Sequence, residues 1–259
     1  MAAGIIVGLG QGLLGVGGAF IMVPVMVGVF AQLGWDTDYA VKTAFGTSLL
    51  VIFPAAVATT IAHQRRKAIW WKPAIVMGIA AAAGSLLGAT LTTQVIGGDI
   101  MKIVFGVVVI LAGVRLWTAK AVESKKPPEE KPALWIAFGF FVGMSSGLLG
   151  AGGGILMVPL MTTVLKFRMH HAVATSAAVI VFASGAGALG YFINGLGVSG
   201  LPGGSYGYFS LTAWLCLAPT SIAMTQVGAW AAHRLSAKAL KAVFVIVMVV
   251  VGLRMLGAF

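Results

Sequence analysis

Residues 12–26 read GLLGVGGAFIMVPVM, and residues 147–161 read GLLGAGGGILMVPLM. Paired leucines, clustered glycines and a Met-Val-Pro step thus occur twice in one chain, in the same order and spacing. Other fragments keep that order: AFGTS at 44–48 returns as AVATS at 172–176, KIVF at 102–105 as KAVF at 241–244, and GVRL at 113–116 as GLRM at 252–255. Self-similarity over half a chain is the mark of an internal repeat, and in membrane proteins it points to transporter folds.

Working outward from the two blocks, each is followed by three apolar spans. The first half reads as 2–31, 39–62, 72–93 and 100–119, the second as 133–165, 171–193, 208–232 and 239–258. About 20 residues carry a helix across a bilayer, and the later spans of each half meet that length. The composition agrees: 59% of residues are hydrophobic and 9% charged, whereas a soluble domain carries about 25% charged residues. Between the halves, residues 120–132 read KAVESKKPPEEKP, a charged, proline-bearing stretch that reads as a solvated cytoplasmic linker. The expected organisation is a first transmembrane repeat at 1–119, the linker at 120–132 and a second repeat at 133–259. The start, MAAG, has no basic region before its apolar run, so a cleaved signal peptide is not expected.

The formal charge of +11 would suggest nucleic acid in a soluble protein. Here the basic residues sit between apolar spans, where they orient the chain, and no nucleic-acid partner is expected. One cysteine, Cys216, excludes a disulfide framework or a multi-cysteine metal site. No catalytic constellation, metal site or cofactor motif is expected.

The glycine-rich segments have two readings, a tilted crossing or a re-entrant pair of half-helices. Basic residues separate them, because cytoplasmic loops collect Lys and Arg. With crossings, ten of the seventeen basic residues fall inside; with re-entry, fourteen do, leaving outside only Lys42, Lys102 and Arg254. Charge favours re-entry. Three crossings per repeat then make the halves antiparallel. The expected fold is an all-α polytopic membrane protein of two inverted repeats, each a Gly-broken re-entrant or discontinuous helix plus three transmembrane helices.

All six acidic residues fall in loops or at span ends, which shifts the expected substrate toward an anion or a neutral solute. It also leaves a proton, the coupling ion considered, without a buried carboxylate. His63, His170, His171 and His233 fall at cytoplasmic span ends and read as interfacial. Trp70, Trp71 and Trp117 suit an interfacial belt.

The candidate site is the pair of glycine clusters: Gly15, Gly17 and Gly18 in one block, Gly150, Gly152, Gly153 and Gly154 in the other. Glycine leaves helical geometry without steric penalty, and Pro24 and Pro159, six residues past Gly18 and Gly153, support a helix break. A half-helix starting near Gly18 or Gly153 would aim free amides and the positive end of its dipole at the membrane middle, where they can hold an oxyanion. The competing reading is that the glycines allow close helix packing. Thr47, Ser48, Thr175 and Ser176 are candidate hydroxyl donors beside the clusters, or hydroxyls satisfied by backbone. Gln11, Ser145, Ser146 and Gln226 are weaker candidates for the same pathway.

The paired G-L-L-G-x-G-G-(A/G)-x-x-x-V-P blocks and the A-x-x-T-S blocks resemble those of the TauE/SafE sulfite exporter family, also called the toluene-sulfonate uptake permease family. The resemblance covers essentially the whole chain. It implies a bacterial inner-membrane secondary carrier for sulfite, an organosulfonate or a related sulfur oxyanion, without cofactor, and it points to Gly15, Gly17, Gly18, Gly150, Gly152 and Gly153. Ala19 stands where the family pattern has a third glycine. A non-transporting membrane subunit or scaffold and an anion channel are the alternatives.

Overall fold

The computed structural model describes residues 18–118, 131–201, 203–231 and 237–257. Gly15, Gly17, Gln11 and nearly all of the expected linker lie outside the described residues, and Gln226 is described in backbone only.

Nine helices make up the described chain: α1 (Ala19–Gln32), α2 (Thr37–Arg65), α3 (Trp71–Gln94), α4 (Gly98–Thr118), α5 (Pro132–Leu149), α6 (Gly154–Thr163), α7 (Met169–Gly195), α8 (Leu211–Ala231) and α9 (Ala237–Met255). Lipid offers no partner to backbone N–H and C=O groups, so each segment satisfies its own as a helix. Four are long and apolar enough to cross a membrane: Thr37–Arg65, Trp71–Gln94, Pro132–Leu149 and His171–Gly195. Large apolar side chains such as Ile79, Leu111 and Ile246 stand largely exposed on the outside of the bundle, as lipid-facing residues do.

Close approaches between neighbouring residues give the helix directions. On α3 and α5, Gly84 meets Phe140, Gly88 meets Met144, and Gly139 and Gly143 of α5 meet Met77 and Ala81. The residue numbers rise together, so these helices are parallel. On α3 and α7, Gly78 meets Phe182 and Gly190 meets Ala89, and that pair is parallel too. With α5 and α7 pointing the same way, the chain between them must come back. It does so through α6, whose ten residues span about 15 Å, far short of the roughly 30 Å hydrocarbon core. Gly153, at the start of α6, lies back against Val142 of α5. Past the end of α6, Phe167 meets the Trp70 ring at 5.3 Å and shares a buried cluster with Trp135 at the start of α5. The second glycine segment is therefore a helix–turn–helix hairpin, α6 folding back along α5.

Helices that hold equivalent places in the sequence pack antiparallel. On α2 and α7, Gly46 meets Tyr191 while Gly185 meets Phe53; on α4 and α9, Gly106 meets Met255 while Gly113 meets Met248. Two hydrogen bonds repeat this exchange. The Ser210 amide, just before α8, donates to Thr47 Oγ1 of α2 at 3.0 Å. The Trp70 amide, just before α3, donates to Thr175 Oγ1 of α7 at 3.2 Å.

Trp71 and Trp117 are exposed as a belt requires, whereas Trp70 is half-buried. It turns inward against Phe167 and His171, while His171 Nδ1 sits 2.8 Å from the Ala68 carbonyl oxygen. The loop between α2 and α3 presses onto α7 to reach Thr175, and that turns one side of Trp70 inward.

Candidate functional site

The glycines of α5 and of the second block divide into two tasks. Gly139, Gly143 and Gly147 lie at every fourth position of α5 and face α3, where added Cβ atoms would fall on the backbone carbonyl oxygens of Met77, Ala81 and Ser85. These serve close packing. Three residues after Gly147 the helix stops. Gly150, Gly152 and Gly153 adopt φ of 63°, 69° and 75°, the left-handed region that L side chains avoid. Gly153 caps the N-terminus of α6 with φ 75° and ψ −9°. In the first block Gly18 caps the N-terminus of α1 with φ 58° and ψ −6°. In both halves a helix thus starts from an equivalent left-handed glycine.

The break lies deep in the bundle. Gly152 packs between Ile52 and Ile180, near the middles of α2 and α7, and Gly18, Gly150, Gly152, Gly153 and Gly154 are all buried. Pro24 falls inside α1, which continues through it; Pro159 falls within the bounds of α6. The glycines, not the prolines, mark where helical geometry ends.

Each side of the break must account for its backbone groups, since a helix end leaves carbonyls or amides without intrahelical partners. On the carbonyl side three side chains from three helices supply donors. Tyr191 Oη donates to the Gly147 oxygen at 3.0 Å, Thr92 Oγ1 to the Leu148 oxygen at 3.0 Å, and Ser48 Oγ to the Gly150 oxygen at 2.8 Å. Tyr191, Thr92 and Ser48 are completely buried. The amide side differs. The Leu156 and Met157 amides bond back to the Gly153 carbonyl, so the ladder of α6 begins there, and no side chain caps the helix. In α1 the Ile21 and Met22 amides bond back to the Gly18 carbonyl, again with no side-chain cap.

The sequence-predicted hydroxyls have separate fates. Ser48 reaches the break but points its proton at a carbonyl. Thr47 and Thr175 accept the interhelix bonds described above. Ser176 donates to the Val173 carbonyl of its own helix at 2.9 Å, away from the glycines. Ser145 likewise bonds back to the Phe141 carbonyl at 3.0 Å. Ser146 is the exception: fully buried, with an Oγ that has no hydrogen-bond partner among the described residues. Its Cβ lies 3.6 Å from where a Cβ on Gly153 would stand.

Removing the Ser48 hydroxyl leaves the Gly150 oxygen buried and unpaired, which costs about 1–3 kcal/mol. Ser48→Ala is accordingly expected to lower the melting temperature of the detergent-purified protein, and Tyr191→Phe to do the same through Gly147. Thr118→Val, at an exposed hydroxyl that bonds its own helix, is expected to leave melting unchanged.

The family described as sulfite exporter TauE/SafE matches residues 1–255, which include both glycine blocks and all nine helices. The chain belongs to the TauE/SafE family. A probable membrane transporter protein of Methanocaldococcus jannaschii is 31% identical over 255 residues, covering 98% of this chain and 92% of that protein. The probable membrane transporter protein YunE of Bacillus subtilis is 30% identical over 210 residues, 74% of this chain and 77% of that protein. A probable membrane transporter protein of Haemophilus influenzae is 24% identical over 258 residues, 98% of this chain and 96% of that protein. No solved structure matches the chain. As a TauE/SafE member with several helices able to span a bilayer, this protein is an integral membrane transporter and not an enzyme.

Proposed function

We propose that the protein is a secondary carrier for a small sulfur oxyanion, sulfite or an organosulfonate, exported across a bacterial-type inner membrane by alternating access. The observation that carries this reading is the asymmetry of the helix break. Carrier sites for cations use the carbonyl ends of broken helices and those for anions the amide ends. Here buried hydroxyls from three helices already cover the carbonyls, and the amide end of α6 has no side-chain cap. An oxyanion is the guest whose acceptors complement what is left. The name of the matched family supports sulfite among such anions.

The antiparallel packing of α2 on α7 and of α4 on α9, with the exchanged Thr47 and Thr175 bonds, supports two repeats related by a two-fold axis in the membrane plane, the first at 1–119 and the second at 133–259. In that arrangement the N-termini of α1 and α6 meet the anion from opposite sides. Gly18, Gly153 and Gly154 present the amides, and Gly150 and Gly152 shape the turn before α6; Gly15 and Gly17 belong to the proposed site by their place in the repeated block. A proton is the proposed coupling ion.

Proteoliposomes loaded with labelled sulfite or methanesulfonate are expected to show saturable efflux, faster when unlabelled anion is supplied on the far side. Absence of saturable flux for every anion tested would overturn the carrier reading.

A further inference from the structure

We propose that this site takes its anion in the singly charged form, with the Ser146 hydroxyl as its side-chain donor; the proposal rests on the carrier reading above. Charge limits the form of the anion. No Asp, Glu, Lys, Arg or His occurs from residue 1 to 35 or from 132 to 165, so the two glycine segments contribute no full charge. Among the described residues one charged side chain is buried, Lys42, and its Nζ is held by Asp38 Oδ2 at 2.7 Å. The positive pole of the site is therefore made of helix ends. Each N-terminus acts as about half an elementary charge, so α1 and α6 together offset about one negative charge. A dianion would keep a second charge uncompensated among Ile52, Ile180 and Val142, where an isolated charge is strongly disfavoured.

Ser146 is a buried hydroxyl beside the break. It is 0% exposed and its Oγ has no partner among the described residues, although a serine in a helix ordinarily satisfies itself on the carbonyl one turn back. Its neighbour Ser145 does that. The Ser146 Cβ lies 3.6 Å from where a Cβ on Gly153 would stand, beside the residue that caps the N-terminus of α6. A hydroxyl adds a hydrogen-bond donor without adding charge, which suits a singly charged oxyanion.

The test uses anions whose charge is set by pH or fixed. Sulfite passes from monoanion to dianion across neutrality, methanesulfonate stays a monoanion, and sulfate stays a dianion. In proteoliposomes with wild-type protein, the apparent affinity for total sulfite should fall as the medium is made alkaline, by about tenfold per pH unit once the dianion predominates. The affinity for methanesulfonate should not move, and sulfate should compete poorly. Sulfite affinity that is flat with pH, or sulfate competing as well as methanesulfonate, would overturn the charge assignment. Ser146→Ala should weaken sulfite and methanesulfonate alike, by about tenfold, with the pH slope kept and the melting temperature held. A folded Ser146→Ala protein with wild-type affinities would remove Ser146 from the site. Loss of saturable flux for all anions in the wild type would instead sink the underlying carrier reading, a result distinct from either.

Discussion

Valine in place of Gly152 is expected to give a protein that reaches the membrane and has lost nearly all saturable anion flux. Gly152 has φ 69°, a region where a β-branched residue is a true outlier and where even an ordinary side chain costs about 1–2 kcal/mol. Packing alone does not forbid the change. The nearest atoms to a new Cβ are Ile52 Cγ2 and Cδ1, at 3.0 and 3.1 Å, the mobile end of a side chain. What gives way is the turn, and the turn fixes Gly153 as the left-handed cap from which α6 starts. A shift of about 1 Å in a positioned group can cost about 10²-fold in rate. Efflux from proteoliposomes, normalised to monodisperse protein, measures the effect. Gly97→Ala, where an added Cβ meets nothing within 4 Å, should keep wild-type flux.

The second large effect is on folding. Gly143→Leu should prevent accumulation of monodisperse protein in the membrane, because a Cβ at Gly143 falls on the backbone of Ala81 in α3, its carbonyl oxygen included. Backbone cannot rotate aside as Ile52 can. Separating α3 from α5 would also loosen the contacts at Gly139, Gly147, Gly84 and Gly88, all backbone to backbone. Overpacking in an otherwise accommodating core costs about 1–3 kcal/mol, and five close approaches along one seam place this case above that range. Fluorescence-detected size exclusion of tagged variants reads the outcome. Gly143→Ala should fold, with a lowered melting temperature.

These two variants separate the tasks that the sequence leaves merged. The glycine clusters read as a helix break, with close packing as the competing reading, and α5 with the turn after it contains both: Gly139, Gly143 and Gly147 pack, while Gly150, Gly152 and Gly153 turn. The helix start at Gly18 and Gly153 is legible because adjacent glycines repeat at one place in both blocks. The placing of Lys and Arg favours re-entry over crossing, and the fold-back of α6 along α5 agrees with that expectation without fixing the side of the membrane. Hydroxyl roles were not legible. Thr47 and Ser48 adjoin in sequence, yet one accepts from Ser210 and the other donates to Gly150, partners fixed only once α2 packs against the loop before α8 and the end of α5. Ser145 and Ser146 look alike as a pair, and only helix phase puts one on its own carbonyl and the other against Gly153. Tyr191 and Thr92 carried no sequence signal, because closing the end of α5 requires donors from α3 and α7 that no spacing reveals.

The central claim is that amides at the start of α6 hold the anion. A crystal structure of the protein soaked with selenite, the selenium congener of sulfite, tests it directly through anomalous scattering. The selenium peak should lie beside the Gly153 to Gly154 turn, with an oxygen about 2.9 Å from the Gly154 amide nitrogen. A peak seated elsewhere in the bundle, or none at saturating selenite, would contradict the account.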